Sequence, residues 1–135
     1  MAYQYLLDTN ILSDLVRNPQ GSIYQTIATI GEDQICTSII VACELRFGAE
    51  KSSSVRLKQQ VEVILNALPI LPLTCSADRH YAEIRSHLEK AGTPIGPNDL
   101  LIAAHSIALD LTLVTDNIRE FSRVPNLKLE NWLRR

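Results

Sequence analysis

The sequence predicts an α/β sandwich, a parallel sheet with helices packed on its faces. Three observations carry this expectation. Short apolar runs alternate with amphipathic stretches along the chain. The late run from Leu111 to Thr115 reads as a continuous apolar strand, as expected of a strand buried on both faces. With 135 residues, 46% hydrophobic and 21% charged, the chain has the size and composition of a single globular domain spanning 1–135.

In order, residues 3–7 read as a strand ending at Asp8, and Ile11, Leu12, Leu15 and Val16 follow at the spacing of an amphipathic helix. Asn18, Pro19 and Gly21 stop it. A second helix is expected over 22–30, a strand over 34–37, and a third helix capped by Ser38 and running to about Ala49. Ser52, Ser53 and Ser54 form a turn, because Val55, Leu57, Val61, Ile64, Leu65 and Leu68 then resume helical periodicity. Pro69 and Pro72 bracket an extended segment over 70–73, and a helix over 76–91 is closed by Gly92. After a loop containing Pro94, Gly96 and Pro97, Asn98 is expected to cap a helix through Ala108. The strand at 111–115, a short helix near 118–123 and a last strand near 127–129 complete the reading.

The net charge of −2 argues against nucleic-acid binding through a broad basic surface, so any such role must be local. No apolar run approaches the roughly 20 residues of a membrane span, and no secretory signal is recognisable, which points to a cytoplasmic protein. Cys36, Cys43 and Cys75 lack zinc-site spacing and are expected to be buried free thiols. His80, His87 and His105 have no clustered ligands beside them and read as surface or satisfied helix histidines, His105 being the one nearest to an acidic helix.

The chemistry lies in the acids. In an open α/β sheet the functional crevice sits outside the carboxyl ends of the strands, and Asp8 and Asp116 both follow strands. Asp99 falls in the first turn of a helix, where the dipole favours a carboxylate. Glu44 lies within a helix beside Ile40, Val41, Phe47 and Gly48, on an apolar face, with no basic residue at helical spacing. Its charge therefore calls for a metal ion or a distant Arg or Lys. Taken singly, Asp8, Asn98 and Asp116 read equally well as helix caps. Converging carboxylates would repel one another unless a divalent cation neutralised them, and magnesium or manganese suits an all-oxygen ligand set. Such an ion supports phosphodiester hydrolysis.

Four segments, YLLDTNIL, TSIIVACELRFGAEK, GTPIGPNDLLIAAHS and LVTDNIREFSRV, together resemble the PIN domain of VapC toxins over nearly the whole chain. The resemblance implies a five-stranded parallel sheet between helices and a magnesium- or manganese-dependent endoribonuclease. It also implies a VapB-like antitoxin partner, a homodimer, and contact with operator DNA only through the antitoxin. Asp8, Glu44 and Asp99 match the catalytic, metal-binding acids, and Thr9, Asn10, Ser38 and Thr115 match polar positions that orient the site. The family's fourth acidic position corresponds to Asn117, a departure, with Asp116 one residue earlier as the other candidate for that ligand place. The GTPIGPND segment looks like the enteric group associated with tRNA cleavage, and a single-stranded loop is the RNA element whose phosphates would reach a metal.

Two other readings compete. An aspartyl-phosphate enzyme also places an Asp after its first strand, but its phosphatases usually need a second acid where this chain has Asn10, and a receiver-type phosphoacceptor needs a lysine after a late strand, where this chain has Thr115, Asp116 and Asn117. A catalytically inactive PIN-type module binding RNA or protein is the alternative within the same fold, and retention of three central acids argues against it. Trp132, Leu133, Arg134 and Arg135 are a candidate dimer or partner surface.

Overall fold

The computed structural model describes residues 2–133. Five parallel strands, β1 (Tyr5–Leu7), β2 (Ile35–Ser38), β3 (Ile70–Leu71), β4 (Thr112–Val114) and β5 (Leu129–Glu130), lie in the order β3-β2-β1-β4-β5. The helices are α1 (Thr9–Arg17), α2 (Ser22–Ile30), α3 (Ile39–Ser52), α4 (Val55–Ala67), α5 (Ala77–Lys90), α6 (Pro97–Ala108) and the single-turn α7 (Ile118–Phe121). A 3-10 turn (Glu32–Gln34) leads into β2.

The strand order places the site. From β1 the chain adds β2 and β3 on one side, then returns to lay β4 and β5 on the other. The switch between β1 and β4 leaves a crevice at their carboxyl ends, where an open α/β sheet binds its ligand. The register pairs Leu6 with Leu113 and Leu7 with Val114, so Asp8 and Thr115 emerge side by side at the sheet's edge. Leu6, Leu7, Leu113 and Val114 are fully buried, which accounts for strands that read as unbroken apolar runs.

Local chemistry sets the helix ends. Ser38 Oγ accepts the Ile40 N–H at 3.0 Å and starts α3, and Ser54 Oγ accepts the Leu57 N–H at 3.1 Å and starts α4. Between them Ser53 adopts φ 60°, so the three serines are the expected turn. Two expectations are corrected. Asn98 is not a cap: Gly96 holds that place with Pro97 as the first helical residue, because a proline needs no hydrogen-bond partner for a missing N–H there. Only Cys36 is a buried thiol; Cys43 is exposed on α3 and Cys75 is exposed in the loop before α5.

Trp132 and Leu133 are buried rather than displayed, the Trp132 ring meeting Tyr5 edge-on at 5.2 Å, while Arg134 and Arg135 lie outside the described residues. No helix among the described residues is long and apolar enough to cross a membrane.

Candidate active site

At the carboxyl edge of β1 and β4, the 3% exposed Asp8 is held from both sides. Its Oδ1 accepts the Thr9 N–H at 2.8 Å and its Oδ2 accepts the Thr115 hydroxyl at 2.8 Å. Burial pushes the Asp8 carboxyl above the usual range, the two hydrogen bonds oppose that shift, and nearby Glu44 adds to it. Thr115 in turn accepts the Asn117 N–H at 3.0 Å. Asn10 braces the turn after β4, its Oδ1 accepting the Asp116 N–H at 2.9 Å.

Glu44 reaches the same edge from α3. Thr9 Oγ1 donates to its Oε1 at 2.6 Å and Asn98 Nδ2 donates to its Oε2 at 3.2 Å. Thr9 thus serves two acids at once, Asp8 through its backbone and Glu44 through its hydroxyl. Among the described residues the ion pairs lie elsewhere, as Arg46 with Glu62, Lys58 with Glu50, Arg85 with Glu89 and Lys128 with Asp110, and none reaches Glu44. A cleft of about 310 Å³ opens beside Glu44, with Thr9, Ser13, Arg17 and Gly48 in its lining.

Asp99, in the first turn of α6, faces the other acids. Its carboxyl is pushed up to about 7, first by burial, then by the charges of Asp8, Glu120 and Glu44, and by a hydrogen bond shared with Glu120. Asp8, Glu44 and Asp99 are thus brought to one edge, with Thr9 and Thr115 hydrogen-bonded to Asp8 and Glu44 and Asn10 bonded to the turn after β4. Ser38 sits one level deeper, capping α3 and contacting His105 rather than an acid. Asp116 turns outward, where Asn131 Nδ2 donates to its Oδ1 at 3.0 Å. Asn117 points its amide at Glu120, Nδ2 to Oε1 at 3.4 Å.

Glu120 was missed in the sequence. The available signal was positional: it stands in the first turn of the short helix that follows β4, at the functional edge of the sheet.

Asp8, Glu44, Asp99 and Glu120 offer only oxygen donors, and their mutual repulsion is what a hard divalent cation would relieve. Among the described residues no three acid, thiol or imidazole groups close into a ready-made cage. Magnesium keeps several of its waters and takes one or two carboxylates, so an open acidic edge suits it.

A family model for the PIN domain matches residues 5–127. The chain is 42% identical over 130 residues to Ribonuclease VapC2 of Rickettsia felis, covering 95% of this chain and 97% of that protein. It is 35% identical over 130 residues to the tRNA(fMet)-specific endonuclease VapC of Salmonella typhimurium, covering 96% and 98% respectively. The fold superposes on a chain of the crystal structure of VapBC2 from Rickettsia felis bound to a promoter DNA fragment. That match has a TM-score of 0.89 and 40% identity, over 95% of this chain and 98% of that one.

Proposed function

Because the chain belongs to the PIN-domain family, we propose that it is the toxin of a type II toxin–antitoxin pair, an endoribonuclease that hydrolyses RNA phosphodiester bonds with a divalent cation. The PIN-domain reading extends over 1–135. The observation that carries it is the convergence of Asp8, Glu44 and Asp99, with Glu120 beside them and no pairing Lys or Arg among the described residues.

Asp8, Asp99, Glu44 and Glu120 would hold the ion, one or two of them directly and the others through its water shell, with magnesium in the first instance and manganese as substitute. When bound, such an ion lowers the pKa of water and offsets charge on the phosphate under attack. The chain supplies positioning. Thr115 and the Thr9 N–H fix Asp8, Thr9 and Asn98 fix Glu44, and Asn117 steers Glu120. The Asp99 carboxyl, pushed up to about 7, must give up its proton for the site to carry full charge. Arg17, in the cleft beside Glu44, is a cation placed to meet an RNA phosphate.

The partner of this reading is a VapB-like antitoxin, through which operator DNA would be reached, as supported by the VapBC complex that the chain resembles. The substrate to test first is tRNA(fMet), after the Salmonella relative, with its unstacked anticodon loop as the cut segment. The deciding experiment incubates the antitoxin-free protein with tRNA and total RNA. Cleavage that needs magnesium and stops with EDTA supports the nuclease. A folded protein that binds RNA and never cuts it would make this an inactive PIN module.

A further inference from the structure

His105 is a buried titratable group that the nuclease chemistry above does not use. It is 1% exposed, late in α6, and its Nδ1 lies 2.8 Å from Ser38 Oγ, which is itself fully buried at the start of α3. The same Ser38 oxygen already accepts the Ile40 N–H. An oxygen accepting that bond still has its own proton to give, so the consistent network has the hydroxyl donating to Nδ1 and the imidazole neutral with its proton on Nε2. Burial favours the neutral ring, with the Pro72 carbonyl opposing part of that preference. Nε2 makes no hydrogen bond of strict geometry among the described residues, the Pro72 carbonyl being a backbone acceptor for the ring at looser geometry. An apolar side chain would give up both the Ser38 and the Pro72 contact, so the imidazole serves polar contacts and not packing alone.

The geometry supplies a reason. Helices α3 and α6 pack together, and polar contacts join them at two levels. Asn98 meets Glu44 at the exposed level, and His105 meets Ser38 at the buried level. Asn98 and His105 are seven positions apart on α6, and Glu44 lies six positions beyond Ser38, the cap of α3, so both spacings are about 10 Å along the axis. One contact lets the helices pivot about it, whereas two fix both slide and tilt. We propose that His105 is a positioning residue for the acidic site, its Nδ1 accepting the Ser38 hydroxyl so that the helix carrying Glu44 is held in register with the helix carrying Asp99.

This inference rests on the reading that Glu44 and Asp99 serve one cation, and the test separates the two. Manganese binding to the full chain without RNA is measured by calorimetry, beside the magnesium needed for half-maximal cleavage, kcat, and the metal-free melting temperature. His105→Leu removes the acceptor for the Ser38 hydroxyl together with the Pro72 contact. It should weaken manganese binding about tenfold, the lower end for residues that orient metal ligands, and raise the magnesium requirement in parallel while kcat at saturating metal changes little. His105→Asn, whose amide oxygen can take the place of Nδ1, should recover most of the affinity. Ser38→Ala should reproduce the loss and Ser38→Thr rescue it, and His105→Leu combined with Ser38→Ala should lose no more than the worse single variant. Manganese affinity within twofold of the parent in His105→Leu, whatever its melting temperature, overturns the proposal. Should His105→Leu not fold, His105→Phe, which keeps a ring but offers no acceptor to the Ser38 hydroxyl, decides by the same criterion. Asp99→Asn is the control: if it binds manganese like the parent, the functional reading has failed, whereas its loss beside an intact His105→Leu defeats only the role given to His105.

Discussion

A carboxyl group at about 7 in the folded chain and 3.8 as its ordinary value binds its proton more tightly when folded, and Asp99 is in that position. Its stabilising contribution is therefore fully present below about 3.8 and lost as pH rises through about 7, because the folded state then holds a charge it disfavours. Asp99→Asn keeps the shape and removes the titration. The variant should lose at least about a hundredfold in cleavage rate, and its metal-free form should be more stable than the parent above pH 7 by about 1–2 kcal/mol, a figure discounted for the partial exposure of Asp99. Urea denaturation in EDTA across the acid-to-neutral range checks this, and a gap that failed to close towards pH 4 would falsify the electrostatic account. The neighbouring acids sort by the same logic. Glu120→Gln should weaken metal binding about three- to tenfold, since it deletes a charge facing Asp99, and Asp116→Ala should change it by less than about twofold, its carboxylate being turned to Asn131. Calorimetric titration of the two variants with manganese distinguishes them, and the reverse order would place the wrong residue beside Asp99.

Elements carry a residue's chemistry only if their ends fall where the site needs them, and this is where the sequence was readable unevenly. Asp8 was legible because it follows an apolar run, whereas Thr115, read as the last residue of its strand, was singled out only by the family resemblance, and the parallel pairing of β1 with β4 delivers both to one edge. Glu44 was legible as a charge on an apolar face. Asn98 was read as a cap because its type suits one, while the Gly96 and Pro97 pair before it makes an equally good helix start and frees the amide to cross to α3. Glu120 was hidden for a related reason: a single-turn helix has too little periodicity to announce which way its residues face. The crossing from α6 to α3 gives its own prediction. Asn98→Ala leaves Thr9 on Glu44 Oε1 but frees Oε2, so magnesium half-activation should rise about three- to fivefold, with the melting temperature changed by no more than about 2 °C because Asn98 is exposed and caps nothing. A large drop in melting temperature with unchanged magnesium dependence would mean that the amide serves the fold and not the site.

For the molecule as a whole, folding, metal binding and proton binding meet at one edge of the sheet. A ligand that binds only the folded chain stabilises it, by about 2.7 kcal/mol at a hundredfold excess over its dissociation constant. A proton on Asp99 competes with the cation for the same oxygens, so each pH unit below about 7 should cost up to about tenfold in metal affinity, and above that value the affinity should level off. Two opposing trends follow. The metal-free protein should lose stability as pH rises towards and through 7, while the stabilisation gained from a fixed manganese concentration should grow over the same interval and then flatten. Melting curves recorded at half-unit steps from about pH 6 to about pH 8.5, with manganese and with EDTA, give both trends from one preparation. In Asp99→Asn the pH dependence of the manganese effect should largely vanish, because no proton on that side chain is left to displace. If the manganese effect is independent of pH in the parent, or keeps the same slope in Asp99→Asn, then the proton displaced by the cation does not come from Asp99, and the cation is not held where the four acids meet.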